Sequence, residues 1–411
     1  MATSIGNSPT DLESKRKSLQ LKTCIFSDIL RRNGKVCYLG FEDGTIELVG
    51  SENSGQRTEA RCSLIFKTPE DLSRLCNSPR LLAFAEMYIN GRVNWKGEFF
   101  DAIDIVAALP DNKETMIEQI ESAVYGFFLR FLAKSKQRLF KQMAHYGIDG
   151  RVYEYFLDHY MQYTCGLFAG ERDDLEAAQL NKLEFIAKGL GLTEGTRHLD
   201  VGCGWGGAIR YFAEMYKTNS VGLTNCTEQA QYARRAIGES NRTRCEVICA
   251  DYQEYLRNEH FDAITVVGML EHVARHRQDR FFAYLFESLR PGGRVYLQCI
   301  TKAALWRGGD GTRFLQRYVY PGYFIDKVDN IKTRALNAGF VLQSDPRDDA
   351  SHYAQTARCW VNNLLRHEND ILELIPERDF RVMLAYLGMG SRVFADRQGS
   401  LSRMFLTKPL V

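Results

Sequence analysis

The hydrophobic and polar positions up to residue 110 form short alternating runs followed by helical spacing. Turns that contain Gly or Asn separate the runs, which is typical of antiparallel strands. Apolar residues then recur with the period of an α-helix. We therefore expect residues 1–110 to form a small α+β domain. The predicted strands are 35–39, 45–49 and 62–66, and the predicted helices are 69–76 and 79–90.

From residue 178 onward the pattern changes to strands that alternate with helices. Such alternation predicts an α/β fold with a parallel, doubly wound sheet that binds ligands at the carboxyl ends of its strands. The predicted strands are 197–201, 220–223, 246–250, 261–267 and 294–298, and the predicted helices are 178–189, 208–216, 228–237 and 277–289.

A third pattern lies between these two regions. Residues 113–143 have helical spacing with many basic side chains. This stretch predicts a linker helix with a solvated basic face, and a second interpretation is a face that lies near anionic lipid. We expect a domain at 1–110, a linker helix at 111–144 and a main domain at 145–411.

Composition narrows the class of protein. The 411 residues carry a net charge of +2, so no strong field indicates a nucleic acid partner. The 11 cysteines form no Cys-x-x-Cys pair, so we expect no structural metal. With no signal peptide pattern, they indicate reduced thiols in the cytoplasm. No apolar run approaches the ~18 residues of a membrane-spanning helix, so any membrane contact would be peripheral.

The strongest local motif is HLDVGCGWGG at 198–207, where a strand leads through glycines into a helix. Glycines allow a tight turn and close approach of a ligand, and a helix N-terminus offers free N–H groups. A dinucleotide enzyme would have G-x-G-x-x-G and an acid about 20 residues later. The second strand instead ends in Thr224-Asn225, which argues against NAD.

The polar residues after the third strand extend this site. Asp251 and Tyr252 stand where a carboxylate and a ring could hold an adenine. The order of features resembles the class I S-adenosyl-L-methionine (SAM) methyltransferases. The resemblance implies a Rossmann-like seven-stranded SAM methyltransferase domain with a smaller N-terminal α+β domain. The predicted cofactor-binding residues are Tyr163, Thr164, Asp200, Gly202, Gly204, Gly206, Thr224, Gln229, Asp251, Tyr252 and Gln253.

More specific motifs are MQYTC at 161–165, EAAQ at 176–179 with Lys182, GMLEHV at 268–273 and HYAQT at 352–356. They are similar to the cyclopropane-fatty-acid synthase family, which includes the mycolic acid methyltransferases. The resemblance implies transfer of a one-carbon group from SAM to the cis double bond of an unsaturated phospholipid acyl chain. It also implies a bound bicarbonate as base, a homodimer, and an N-terminal domain for lipid docking or dimerisation.

The family's bicarbonate cage maps onto Cys165, Glu271, Gln298, Ile300 and Tyr353. The resemblance assigns the backbones of Cys165 and Ile300 to hydrogen bonds with the ion, Glu271 to accept from it, and Tyr353 to orient it. Glu271 also directly follows a core strand, and such a carboxylate faces the ligand cleft in this fold.

The chain departs from the family at several positions. Gln298 stands where the family usually has His, and an amide cannot carry a proton charge. Gly390 replaces a cysteine, and the loop after Gly322 lacks the usual Leu-Pro-Ser. A methyl branch or an exocyclic methylene is therefore an alternative product. Two other hypotheses stay open: C- or N-methylation of a soluble natural product, and a non-catalytic cofactor-binding protein.

Overall fold

The structure is a computed structural model that describes residues 25–44, 46–50, 60–77, 80–110, 149–170, 172–255, 260–306 and 308–410. The predicted linker helix at 113–143 lies outside these residues. The strands are β1 (Val36–Phe41), β2 (Ile46–Gly50), β3 (Cys62–Phe66), β4 (Val93–Gly97), β5 (Arg197–Val201), β6 (Asn219–Thr224), β7 (Cys245–Cys249), β8 (Phe261–Val267), β9 (Leu289–Lys302), β10 (Val341–Leu342), β11 (Arg347–Asp348) and β12 (Gly399–Thr407).

The helices follow the same chain order. They are α1 (25–32), α2 (Pro69–Asn77), α3 (Leu81–Ile89), α4 (Phe99–Ala107), α5 (Arg151–Phe156), α6 (Leu175–Leu190), α7 (Gly207–Tyr216), α8 (Thr227–Asn241), α9 (Gln278–Ser288), α10 (Asp310–Phe314), α11 (Val328–Asn337), α12 (Ala350–Arg366), α13 (Glu368–Leu372) and α14 (Glu377–Ala395). None of the helices in the described residues is both long enough and apolar enough to cross a lipid bilayer.

The described residues divide into two compact units. The smaller unit contains the residues up to 110 together with Gly308–Arg317 and Glu377–Arg392, and the larger unit contains the remainder. The predicted boundary at 111–144 does not account for these two later segments. Segments distant in sequence join a domain through tertiary contacts, which local patterns do not record.

A four-stranded sheet forms the centre of the smaller unit, with strand order β2-β1-β3-β4. The pairs β1–β2 and β3–β4 are antiparallel, but β1 and β3 run parallel. The expectation of antiparallel strands was therefore wrong for this central pair. Alternating polarity specifies that a segment is a strand with one buried face, but it does not specify the direction of the neighbouring strand.

The later segments join the smaller unit through charged side chains. Asp310 is fully buried and accepts hydrogen bonds from the Leu82 backbone N–H at 3.2 Å and from Arg80 Nη2 at 3.1 Å. Arg392 Nη1 donates to Asp104 Oδ1 at 2.8 Å. A buried carboxylate needs such partners, so these bonds define where each segment packs.

A mixed eight-stranded sheet forms the centre of the larger unit. Its main path is β10-β12-β9-β8-β5-β6-β7, and β11 pairs with β12. The pairs from β9 to β7 are parallel, as the α/β pattern predicts. β12, a strand that the sequence analysis did not predict, runs antiparallel to both β9 and β10. Parallel strands end at one edge, where the site lies.

Local signals account for several boundaries in the larger unit. Helix α6 begins after Asp174, whose side chain accepts from the Ala177 N–H at 2.9 Å, and it ends at Gly191 with φ +69°. These are strong start and stop signals of helices. Strand β9 is longer than the predicted strand at 294–298. It begins at Leu289, so it includes residues 291–293, where its register with β8 shifts.

Gly207, the first residue of α7, allows a close contact that positions an irregular segment. A Cβ added there would overlap the Tyr160 carbonyl oxygen. We expect Gly207→Ala to lower the melting temperature, since overpacking costs about 1–3 kcal/mol. The matched control is Gly390→Ala inside α14, where an added Cβ meets nothing within 4 Å.

The control should be neutral or stabilising, because alanine is favoured over glycine in a helix by roughly 0.5–1 kcal/mol. Thermal and urea unfolding followed by circular dichroism measures both variants. Equal shifts in the two variants would contradict the packing argument.

Candidate functional site

A cleft of about 550 Å³ opens at the carboxyl ends of strands β5 to β8. Its size is within the roughly 300–1,000 Å³ of small-molecule sites. Almost all residues predicted to bind a cofactor line it. They are Tyr163, Thr164, Asp200, Gly202, Gly204, Thr224, Gln229, Asp251, Tyr252 and Gln253.

The glycine-rich turn forms one wall of this cleft. Gly202 has φ +94°, and an added Cβ would lie 2.8 Å from Met269 Cγ, so only glycine fits without strain. Gly206 does not belong to the lining. A Cβ there would lie 2.6 Å from Ala233 Cβ on helix α8. The absence of a side chain at Gly206 therefore lets helix α8 pack closely, and its role as a cofactor contact stays a prediction.

Polar side chains at the ends of β5 and β6 are held by hydrogen bonds. Asp200 Oδ1 accepts from Thr265 Oγ1 at 2.7 Å, and burial raises the pKa of Asp200 to about 6. Thr224 Oγ1 donates to Gln229 Oε1 at 2.9 Å. These bonds restrict the side-chain rotamers, so the polar lining of the cleft is preorganised.

A carboxylate and an aromatic ring follow β7. Asp251 Oδ1 accepts from the Gln253 N–H at 3.0 Å and so begins a short helical turn. The Tyr252 ring packs edge-on against Phe281 at 5.0 Å between ring centroids. The turn therefore fixes an acidic and an aromatic side chain on the same wall of the cleft.

Lys182 holds two residues that line the cleft, Gln162 and Thr164. Its buried Nζ donates to Gln162 Oε1 at 2.8 Å and to Thr164 Oγ1 at 2.7 Å, and burial lowers the pKa of Lys182 to about 7. Gln179 Nε2 donates to the Thr164 carbonyl oxygen at 2.8 Å. The sequence analysis gave Lys182 no role. Its spacing of four residues from Ala178 and from Ile186, both on the buried face of α6, is a sequence signal that could have found it.

The five residues predicted to be catalytic do not line the cleft but meet beside it. Glu271 Oε1 accepts from the Ile300 N–H at 2.7 Å, and Gln298 Nε2 donates to the Cys165 carbonyl oxygen at 3.4 Å. Tyr353 and Ile300 pack in one hydrophobic cluster. We call Cys165, Glu271, Gln298, Ile300 and Tyr353 the catalytic group, after the role that the family resemblance predicts for them. The catalytic group adjoins the cleft. Thr164, which lines the cleft, directly precedes Cys165, and the N–H of Gly268, which also lines the cleft, donates to the Gln298 carbonyl oxygen at 2.9 Å.

Glu271 has an oxygen that is available to a ligand. The residue is only 3% exposed, and its buried Oε2 accepts no hydrogen bond from the residues that the structure describes. Burial raises the pKa of Glu271 to about 7. Both ends of the Gln298 amide are in use, because its Oε1 accepts from Tyr296 OH at 2.9 Å. Of Glu271 and Gln298, only Glu271 has a buried oxygen that accepts no hydrogen bond from the described residues.

Two neighbours of the predicted site also line the cleft. His272, which directly follows Glu271, does so, and burial lowers its pKa to about 4, so it is neutral near pH 7. Trp205 of the glycine-rich turn does so as well. In the described part of the chain, no cluster of His, Cys, Asp and Glu is arranged to hold a metal ion.

Solved structures with the same architecture identify the class of protein. The cyclopropane synthase MmaA2 from Mycobacterium tuberculosis matches with a TM-score of 0.62 and 27% identity, over 65% of this chain and 96% of that one. The mycolic acid cyclopropane synthase CmaA1 complexed with SAH and CTAB matches with a TM-score of 0.61 and 26% identity, again over 65% and 96%. Fold and cleft together define a SAM-dependent methyltransferase.

The family follows from the sequence comparison. The model of the mycolic acid cyclopropane synthetase family matches residues 133–404, well over half of the chain, so the chain belongs to this family. It is 30% identical to the cyclopropane-fatty-acyl-phospholipid synthase of Escherichia coli (strain K12) over 290 residues, 69% of this chain and 72% of that protein. A probable fatty acid methyltransferase of Mycobacterium tuberculosis is 26% identical over 381 residues, 85% of this chain and 88% of that protein.

The cleft geometry predicts that Asp251 contributes a charged acceptor for the cofactor. We expect Asp251→Asn to weaken binding of the product S-adenosylhomocysteine (SAH) by about tenfold, because hydrogen bonds to charged groups are stronger than neutral ones. Asparagine can still accept from the Gln253 N–H, so the turn should persist. Isothermal titration calorimetry measures the dissociation constant. The control is Glu246→Gln at an exposed position of β7. Unchanged affinity in both variants would exclude Asp251 as a contact.

The raised pKa of Glu271 predicts a pH-dependent stability. The folded state binds a proton at Glu271 between the ordinary value of 4.5 and about 7, where the unfolded chain does not. Its protonation therefore stabilises the fold below this window, and that contribution is lost as the pH rises through 7.

We expect the melting temperature of Glu271→Gln, relative to the unmodified chain, to increase from pH 5 to pH 8. The exposed control Glu287→Gln should show no such trend. A difference between Glu271→Gln and the unmodified chain that does not vary with pH would contradict the raised pKa.

Proposed function

We propose that this methyltransferase transfers the methyl carbon of SAM to the cis double bond of an unsaturated acyl chain in a phospholipid. Membership of the mycolic acid cyclopropane synthetase family supports this substrate class. So does the similarity to a relative named cyclopropane-fatty-acyl-phospholipid synthase. Phospholipid acyl chains are reached at a bilayer surface, so we also propose a cytoplasmic enzyme that works peripherally at the membrane, with a homodimer as its assembly.

We propose that the cleft at the ends of β5 to β8 is the SAM site. Gly202 and Gly204 would let the backbone approach the cofactor closely, as glycine-rich turns allow. Asp251 and Tyr252 would hold the adenosine through a carboxylate and a ring. When bound, SAM supplies an electrophilic methyl group. The remaining work of the chain is to position an alkene and exclude water.

The buried, unpartnered Oε2 of Glu271 carries the proposal. An oxygen of this kind needs a hydrogen-bond donor, and the O–H of bicarbonate fits it, because Glu271 can accept while it is ionised. When bound, bicarbonate would supply the base. The chain's own part is to hold Glu271 through the Ile300 N–H and to hold the Cys165 backbone through Gln298. Tyr353 would orient the ion from the neighbouring cluster.

A product analysis tests the proposed reaction. Purified protein is incubated with methyl-labelled SAM and liposomes of unsaturated phospholipid, and the released acyl chains are analysed by gas chromatography with mass spectrometry. We expect a labelled cyclopropane chain. A labelled methyl or methylene branch would keep the acceptor and change the product. Unlabelled lipid from a protein that binds SAH would exclude the lipid substrate and favour a soluble acceptor.

Glu271→Gln tests the role of the carboxylate. We expect kcat to fall about 10²-fold or more, the range of a lost acid–base group, while the dissociation constant of SAH changes by less than about twofold. In the unmodified enzyme, kcat should rise with pH through about 7 as Glu271 ionises. The exposed variant Glu287→Gln is the control. Turnover of Glu271→Gln that equals the control would remove Glu271 from the mechanism.

A further inference from the structure

A buried arginine stands next to the catalytic group in the sheet. Arg403 lies on β12, is 2% exposed, and pairs in register with Gln298 on β9. Its Nη2 donates to the Gly166 carbonyl oxygen at 2.7 Å and lies 3.5 Å from both the carbonyl oxygen and Sγ of Cys165. The Cys165 carbonyl oxygen therefore faces two donors, Arg403 and Gln298.

Arg403 also reaches the helix that carries Tyr353. Its Nε lies 3.0 Å from Asp349 Oδ2, an ion pair in which both side chains are buried. Asp349 directly precedes α12, and its carbonyl oxygen accepts from the Tyr353 N–H at 3.2 Å. One guanidinium thus contacts the segment with Cys165 and the start of the helix with Tyr353, from the strand beside Gln298.

The guanidinium has hydrogen-bonding capacity left over. Arg403 Nη1 is buried and donates to no acceptor among the described residues. A guanidinium keeps its charge at every physiological pH, and a buried cation is stable only near anions or carbonyl dipoles. Gln298 carries no charge, whereas Arg403, on the strand beside it, carries a permanent positive charge that is paired on one side with Asp349.

We propose that Arg403 is a positioning residue of the catalytic group, which holds the Cys165–Gly166 backbone in place and supplies the fixed positive charge for the bound anion. The inference rests on the proposed function, in which that anion is bicarbonate. The neutral Gln298 can then serve by hydrogen bonding alone, because the charge comes from the adjacent strand.

Two variants of Arg403 separate the effect of its charge from the effect of its planar guanidinium geometry. Arg403→Gln retains an amide donor without charge, and Arg403→Lys retains the charge without the planar fork that reaches two carbonyl groups. The matched control is Arg347→Gln. Arg347 Nη2 lies 3.4 Å from the same Asp349 carboxylate, but its side chain is half exposed, so the control removes a charge from the same ion-pair partner.

Three quantities are compared: kcat, the affinity for SAH, and the affinity of the SAH-loaded protein for bicarbonate. Isothermal titration calorimetry in CO₂-depleted buffer measures bicarbonate binding. For Arg403→Gln we expect at least about tenfold weaker bicarbonate binding and about 10²-fold lower kcat, with SAH affinity within about twofold. Arg403→Lys should recover bicarbonate affinity but not the full kcat. Arg347→Gln should match the unmodified enzyme in all three quantities.

Two different results would overturn the proposal. Bicarbonate affinity and kcat of Arg403→Gln equal to those of the control would overturn the proposal. Parallel loss of SAH binding and melting temperature in Arg403→Gln and Arg403→Lys would also overturn it, by assigning Arg403 a general structural role. If bicarbonate binding depends on Arg403 but no variant, nor the unmodified protein, labels lipid, the inference is supported and only the proposed lipid substrate fails.

Discussion

The site depends on how buried charged side chains hold one irregular segment, residues 158–166. This segment provides residues 161–164 of the cleft lining and Cys165 of the catalytic group. Because it has no ladder of its own, its polar groups must find partners on other elements. Lys182 binds its side chains from α6, and Arg403 binds its carbonyl oxygens from β12. The cofactor site and the catalytic group therefore share one support.

This support has an energetic cost. Burial of an ammonium or a guanidinium is unfavourable unless partners compensate, and the compensation is seldom complete. Burial accordingly lowers the pKa of Lys182, while nearby Asp158 opposes that shift. Asp158 itself accepts from the Gln162 N–H at 2.7 Å, so it bonds within the segment and also interacts electrostatically with Lys182. The desolvation cost of these buried charges is offset in part by hydrogen bonds, which hold the side chains of the site in place.

The departure at Gln298 alters how the catalytic group can respond to pH. A histidine at this position could change its charge near neutral pH, whereas an amide cannot. Within the catalytic group, Glu271 has a pKa of about 7, and burial raises the pKa of the Cys165 thiol to about 11. The neighbouring charge on Arg403 is permanent. The protonation state of Glu271 alone therefore sets the charge of this group near neutral pH.

Local patterns in the sequence determined the α/β class, strands β3, β5 and β8 to the residue, and ten of the residues that line the cleft. They could do so because glycines, caps and periodic apolar positions act within a few residues of one another. Only the tertiary structure decided the antiparallel insertion of β12, the parallel β1–β3 pair, and the packing of residues 308–317 and 377–392 with the smaller unit. It also brought Arg403 to Cys165, 238 positions away in the chain. No local period encodes such a contact, since its energy arises only when distant elements bury a shared charge.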